Sequence, residues 1–270
     1  MSSSSPNSNH TILYPRQVEL SDRSLLATAS YGGDKTPYFP IFRSADGGAT
    51  WSWISNLTDQ QDSRFFNTTV GVFYSDQRDP LHGQKLTHQE STDLKSWGPV
   101  VDDVAYLNYT ARPGITIISY IPPLKKWILV HEFPGGDSWS GAGYPVYYPM
   151  SESPFDFRFA YGIPIMVDGV QPNASPYVVW SSVGGANGAI IVSDADHSSV
   201  FTNRAGGQPD QWEIHATSQP ESYSRSLHVF AKYPDHLMIL GAGVFSGTEN
   251  LPLYLSVVSI TDTLGQAAGK

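Results

Sequence analysis

The chain contains no cysteine in its 270 residues, so disulfides, thiolate nucleophiles and Cys-based metal sites are excluded at once. Charge is scarce as well. Only 15% of residues are Asp, Glu, Lys or Arg, and 25 acidic against 16 basic groups leave a net charge of −9. That balance argues against nucleic acid and anionic membranes as partners, because both select basic patches. No apolar run reaches the ~18 residues a membrane-spanning helix needs, so no span is expected. The eight histidines are dispersed, with neither an HExxH pair nor a DxDxDG loop, so no metal and no other cofactor is expected. The Gly-rich stretch VGGANG (183–188) lacks a phosphate-loop lysine, and no G-x-S-x-G elbow is present. Helical periodicity is hard to find.

What the chain has in quantity is Gly (24), Pro (20) and aromatic residues (13%). Short apolar or alternating runs bounded by Gly, Pro, Asn and Asp dominate, among them SLLATASY (24–31), GITIISY (114–120), KWILVHEF (126–133), AIIVSDA (189–195) and HLMILGAG (236–243). They predict an all-β fold of many short strands. FAYGIPIMV (159–167) and LYLSVVSI (253–260) are read as strands on the same grounds. A two-sheet sandwich is the alternative, disfavoured by so many strands in one chain.

SADGGATW (44–51) phases the pattern, since Ser44, Asp46, Gly48, Thr50 and Trp51 fit S-x-D-x-G-x-T-W, the Asp-box. This is a turn between the third and fourth strands of a propeller blade. STDLKSW (91–97) is a degenerate copy about 46 residues on, and SESPFDF (151–157) and NRAGGQPDQW (203–212) are fainter echoes. A period of roughly 45–60 residues predicts a β-propeller of four-stranded antiparallel blades, most simply five. A single propeller domain is expected over 12–264, with a disordered leader at 1–11 and a flexible tail at 265–270. Only three strands follow Tyr223, so TILYPR near the N-terminus is expected to supply the last blade's fourth strand.

Several segments in order add a resemblance: YPRQVELSDRSLLAT (14–28), YSDQRDP (74–80), ARPGITIISYIP (111–122), KKWILVHE (125–132), VVWSSVGGANGAIIVS (178–193) and YSRSLHV (223–229). Together they resemble BNR/Asp-box proteins related to sialidases and to family 93 glycoside hydrolases, the exo-arabinanases. The resemblance implies a further blade before YSDQRDP, where only 58–73 is present, and one hydrolytic carboxylate would be lost with it. A shortened ring of this kind is similar to the fungal hetero-Diels–Alderases of tropolone–sesquiterpenoid biosynthesis. Those enzymes dehydrate a hydroxymethyl tropolone to an o-quinone methide and add it to a humulene-type alkene.

Candidate site residues follow from both readings. Glu132, one of seven glutamates, ends an apolar strand directly after His131, in the position of the Glu in the "YE" segment of family 93. A carboxylate there is costly unless paired, so it is either a site group of raised pKa or a partner of a neighbouring arginine. Arg16, Arg112 and Arg225 each stand near the start of a blade's inner strand. They resemble the sialidase triad that grips a planar oxyanion, or else each holds a carboxylate within the ring. Asp76 is an acid/base candidate or a turn cap. Tyr14, Tyr74, Tyr120, Tyr223, His131 and Trp180 are candidate pocket walls, Trp180 serving equally well as blade packing.

Three functions fit. A cyclase needs a dry pocket, an acid (Glu132 or Asp76) and arginine clamps (Arg112, Arg225), and this is the leading expectation. An exo-acting glycoside hydrolase needs two carboxylates. A non-catalytic glycan-binding propeller needs neither. All three take small-molecule or sugar ligands. Five of nine asparagines (Asn9, Asn56, Asn67, Asn108, Asn173) lie in N-x-S/T sequons, which points to the secretory pathway with a signal peptide removed; coincidence in a cytoplasmic protein is the alternative.

Overall fold

The computed structural model describes residues 11–32, 39–57, 63–66, 71–79, 83–106, 116–132, 143–157, 162–195, 197–220, 223–242 and 253–265. Among them the regular secondary structure is almost entirely β, in five antiparallel sheets. It divides into two compact units, Met1–Tyr106 and Leu107–Lys270.

The first unit holds two four-stranded meanders. β1 (Thr11–Glu19), β2 (Leu25–Gly32), β3 (Phe39–Ser44) and β4 (Ser52–Leu57) pair in sequence order, as do β5 (Ser63–Phe66), β6 (Gly71–Asp79), β7 (Gly83–Ser91) and β8 (Val101–Tyr106). TILYPR therefore does not complete the last sheet as expected. It belongs to β1, which pairs antiparallel with β2 in the first sheet along most of its nine residues. Within 58–73, Ser63–Phe66 form β5, the first strand of the second sheet.

The second unit holds three sheets. β9 (Thr116–Ile121) pairs with β10 (Lys126–Glu132), whose other edge carries β11 (Val146–Tyr148) and β12 (Met150–Ser151), with β13 (Ile163–Pro164) beyond β11. β14 (Tyr177–Ser181), β15 (Ala189–Ser193), β16 (Ser199–Asn203) and β17 (Trp212–Ala216) form a plain meander. β18 (Tyr223–Val229), β19 (His236–Ala242) and β20 (Leu253–Ser259) make a three-stranded sheet. The first strands lie side by side, β14 against both β9 and β18. Ile128, Leu129 and Val130 are buried in succession because β10 is covered on both faces, each such side chain contributing about 1.5–3 kcal/mol.

Two strand expectations shrink. In FAYGIPIMV, 159–161 lie outside the described residues, and in the remainder only Ile163–Pro164 form a strand, Gly162 standing at φ +74 and Pro164 having no N–H for a ladder. LYLSVVSI stops at Ser259, where a short helix α1 (Ile260–Gly265) begins. The Asp262 amide donates to Ser259 Oγ at 3.2 Å, and Asp235 accepts from the Thr261 amide and hydroxyl at 2.7 and 2.6 Å. The capping signature S-x-x-D at 259–262 was present in the sequence.

The Asp-box behaves as its chemistry requires. The Gly48 amide donates to Ser44 Oγ at 2.8 Å, and Asp46 Oδ1 accepts the Thr50 amide at 2.8 Å. Trp51 Nε1 donates to the Gly48 carbonyl at 3.0 Å, and Gly47 and Gly48 take φ of 71° and 94°. In the degenerate copy, Asp93 Oδ1 accepts the Lys95 and Ser96 amides at 2.8 Å each, while Leu94 stands at φ 61° in the left-handed region. Its carbonyl accepts Ser55 Oγ–H at 2.7 Å and Trp97 Nε1 donates back to Ser55 Oγ at 3.2 Å, tying the turn to β4. In the 203–212 echo, Asn203 substitutes for aspartate, its Oδ1 accepting the Ala205 and Gly207 amides at 3.0 and 2.8 Å.

Candidate functional site

The apolar run of β10 carries Glu132 to the end of the strand, opposite Val146 of β11. Glu132 is 9% exposed, and its Oε2 accepts the Ser175 amide at 2.5 Å. Ser175 belongs to a turn that departs sharply from ordinary backbone geometry. Ala174 and Ser175 stand at φ 57° and 44°, left-handed values that cost a Cβ-bearing residue about 1–2 kcal/mol each. The surrounding chain holds the turn in place. The Ala174 amide donates to the Tyr144 carbonyl at 2.9 Å, Asn173 Oδ1 accepts the Tyr144 amide, and the Val146 amide donates to the Pro172 carbonyl at 3.1 Å.

A second carboxylate grips the same turn. Asp194 directly follows β15 and is fully buried. Its Oδ2 accepts the Asn173 amide at 2.7 Å and lies 2.5 Å from His197 Nδ1, while Oδ1 accepts the His197 amide at 3.2 Å. Burial pushes the Asp194 carboxyl above the usual carboxylate range, against the opposing pull of His197 and the Asn173 amide. The Ala195 amide closes the arrangement by donating to both the Asn173 and Ala174 carbonyls at 3.2 and 3.0 Å. Glu132 and Asp194 thus fix amides two residues apart, at the end of the sheets where β9 and β14 begin. Asp194 was not among the sequence candidates. The signal that singled out Glu132, a carboxylate closing an apolar strand, applies equally to AIIVSD (189–194).

His131 is buried beside Glu132, but successive strand residues face opposite ways. Its ring stacks on Tyr147 at a centroid distance of 6.1 Å, and a Cβ on Gly162 would stand 3.2 Å from its Nε2. Burial lowers its pKa to about 4, so the ring is neutral at physiological pH. The structure does not bring Tyr120 to this site. Tyr120 pairs with Trp127, four residues of β10 or about 13 Å from the His131 end, and its ring packs on Trp127 at 4.8 Å. Trp180 locks its own hairpin, Nε1 donating to the Asn187 carbonyl at 3.0 Å, and a Cβ on Gly188 would come within 2.8 Å of its ring.

Arg112 lies outside the described residues, as do the side chains of Tyr14, Arg16, Tyr74, Asp76, Tyr223 and Arg225. Their strands are described, and two share a feature. Tyr14–Pro15 oppose only Ala29 across β1 and β2, and Ser224–Arg225 oppose only Gly241 across β18 and β19. Both Y-x-R segments therefore sit at backbone irregularities, β-bulges of first strands. Among the described residues no group of three His, Asp or Glu side chains could hold a metal ion.

These sheets and turns define the class first: a sialidase-like β-propeller. A Hadza microbial sialidase aligns over 94% of this chain and 54% of its own at a TM-score of 0.56, with 11% identity, a likeness of fold alone. The α-L-arabinofuranosidase Arb93A from Fusarium graminearum is far nearer, at 32% identity and a TM-score of 0.81 over 93% of this chain and 78% of its own. An α-L-arabinanase of Penicillium chrysogenum follows at 26% identity and a TM-score of 0.76, over 94% of each chain. The chain belongs to the GH93 family of α-L-arabinofuranosidases. No family model and no curated protein matches it.

Proposed function

We propose that the chain is an exo-acting glycoside hydrolase that removes arabinofuranosyl units from arabinan ends, with Glu132 as one of its carboxylates. The observation that carries this reading is the 32% identity to Arb93A, sustained over 93% of the chain. Hydrolysis through an oxocarbenium-like transition state uses a pair of carboxyl groups, one protonating the leaving oxygen and the other acting as nucleophile or base. Glu132 suits this work because the buried Ser175 amide holds its Oε2 in a single position. Asp76 is the sequence candidate for the second role. A sugar-binding propeller without chemistry would not need a buried, amide-held carboxylate, and the cyclase reading rests on the sequence resemblance alone.

The test is to incubate the protein with 4-nitrophenyl α-L-arabinofuranoside and linear arabinan, and separately with a hydroxymethyl tropolone plus humulenol. Arabinoside cleavage is expected, with Glu132→Gln lowering kcat at least about 100-fold while Tm stays within a few degrees. Cycloadduct formation without cleavage would transfer the chain to the cyclase reading, and Glu132→Gln with full activity would remove Glu132 from either mechanism.

A further inference from the structure

Two sequon asparagines fall among the described residues, and the fold treats them oppositely. Asn173 is built into the carboxylate-held turn. Its Oδ1 accepts the Tyr144 amide, its own amide is held by Asp194, and a Cβ on Gly143 would meet its side-chain amide at 2.9 Å. Ser175, the third residue of that sequon, is 3% exposed. A sugar on Asn173 would have to displace this network.

Asn56 stands on β4, the last strand of its sheet, with its side chain exposed. Strand alternation alone would put residues 53 and 56 on opposite faces. The pairing with β3 is interrupted there, Ile41 opposing Ser55 and Phe42 opposing Trp53, so that Ile54 is an extra residue. This bulge changes the phase, and Trp53 Nε1 donates to Asn56 Oδ1 at 2.9 Å. The bond engages the carbonyl oxygen of the amide and not Nδ2, the atom that N-glycosylation joins to sugar. Trp53 is 60% exposed, the second most exposed of the large apolar side chains described. An indole bearing so much open surface beside an outward asparagine is a stacking platform for the apolar face of a pyranose ring.

We infer that Asn56 is an N-glycosylation site and that Trp53 seats the first sugar of its glycan. The inference is independent of the hydrolase reading. In the reaction, Nδ2 of Asn56 bonds to the anomeric carbon of the first N-acetylhexosamine of a lipid-linked oligosaccharide. The bond from that carbon to the lipid diphosphate breaks, the diphosphate leaves with the electron pair, and one Nδ2 proton is released. The glycan then covers Trp53 and shields β4, the last strand of its sheet among the described residues, against pairing with another chain.

The experiment sends the full chain through the secretory pathway of a glycosylating yeast. Peptides are mapped after peptide N-glycanase digestion in heavy-oxygen water. Label is expected at Asn56 and not at Asn173, and Asn56→Gln should lose the corresponding glycan mass. Removing the glycan enzymatically from the folded wild type should lower Tm by about 2–4 °C, the shift expected for a contact of this size. That difference should vanish in Trp53→Ala and persist in Trp53→Phe. An unmodified Asn56, a glycan on Asn173 of folded protein, or a Tm difference unchanged in Trp53→Ala would each overturn the proposal.

Discussion

The turn at 44–51 and the turn at 173–175 are both held by aspartates that accept backbone amides, yet the two carboxylates are driven in opposite directions. Asp46 is at the surface, and its hydrogen bonds from the Thr50 hydroxyl and amide pull its pKa down to about 2. Asp194 accepts the Asn173 and His197 amides and faces His197, but burial outweighs them and its pKa rises. Hydrogen bonding to the charged form therefore sets the sign only where water still solvates the carboxylate. The left-handed residues differ as well. The surface turn uses Gly47 and Gly48, whereas the buried turn forces Ala174 and Ser175 into the same region. A local sequence can make the first turn unaided. The second exists only because Glu132, Tyr144 and Asp194, distant in sequence, hold it.

The largest way to break this contrast is Asp194→Ala, which strands buried amides and should cost about 4 kcal/mol, read as a fall in the urea midpoint at unchanged m-value. Asp46→Ala should lower the midpoint far less, and equal effects would mean that burial is not what separates the two turns.

Acid sharpens the comparison next. His131, beside the buried turn's Glu132, has its pKa depressed from 6.5 to about 4. Its contribution is therefore full above pH 6.5 and is lost as pH falls through 4, a loss of about 3 kcal/mol. Asp46 is likewise depressed, from 3.8 to about 2, so the surface turn keeps its contribution down to lower pH. A His131→Gln variant should show a flatter stability profile between pH 7 and 4 than wild type, and parallel profiles would refute this account.

The smallest effects concern left-handed positions in the Asp-box and its copy. Gly48→Ala should cost about 1 kcal/mol through φ alone, since the nearest atom to a new Cβ would be 3.6 Å away. Leu94→Gly, at the equivalent bend, should change stability by less than about 0.5 kcal/mol, because relief of strain offsets added chain entropy. A large loss in Leu94→Gly, measured by thermal unfolding, would show that the Leu94 side chain has a packing role beyond the bend.

Much of the fold was legible. Alternation and Gly/Pro punctuation marked most strands, and SADGGATW located a turn whose bonds are all local. Helix α1 was missed although Ser259 and Asp262 advertised its cap, because the apolar run LYLSVVSI masked the change of period. Glu132 was legible as a carboxylate closing an apolar strand. Asp194 carried the same signal and went unread, since an aspartate beside a second one in SDAD looks like an ordinary turn. Trp180 could be a platform or packing in sequence, and only the 2.8 Å approach of a Gly188 Cβ shows how tightly it closes its hairpin.

The sequence by itself determined the all-β character, the Asp-box turns and the lack of thiol chemistry, because strand periodicity, turn bonding and residue type act within a few residues. Tertiary structure decided which sheet received TILYPR, which carboxylates hold the 173–175 turn, and which of the two described sequons stays open to solvent. Those outcomes depend on pairing and burial between segments far apart in the chain, where desolvation reverses what local chemistry alone would give.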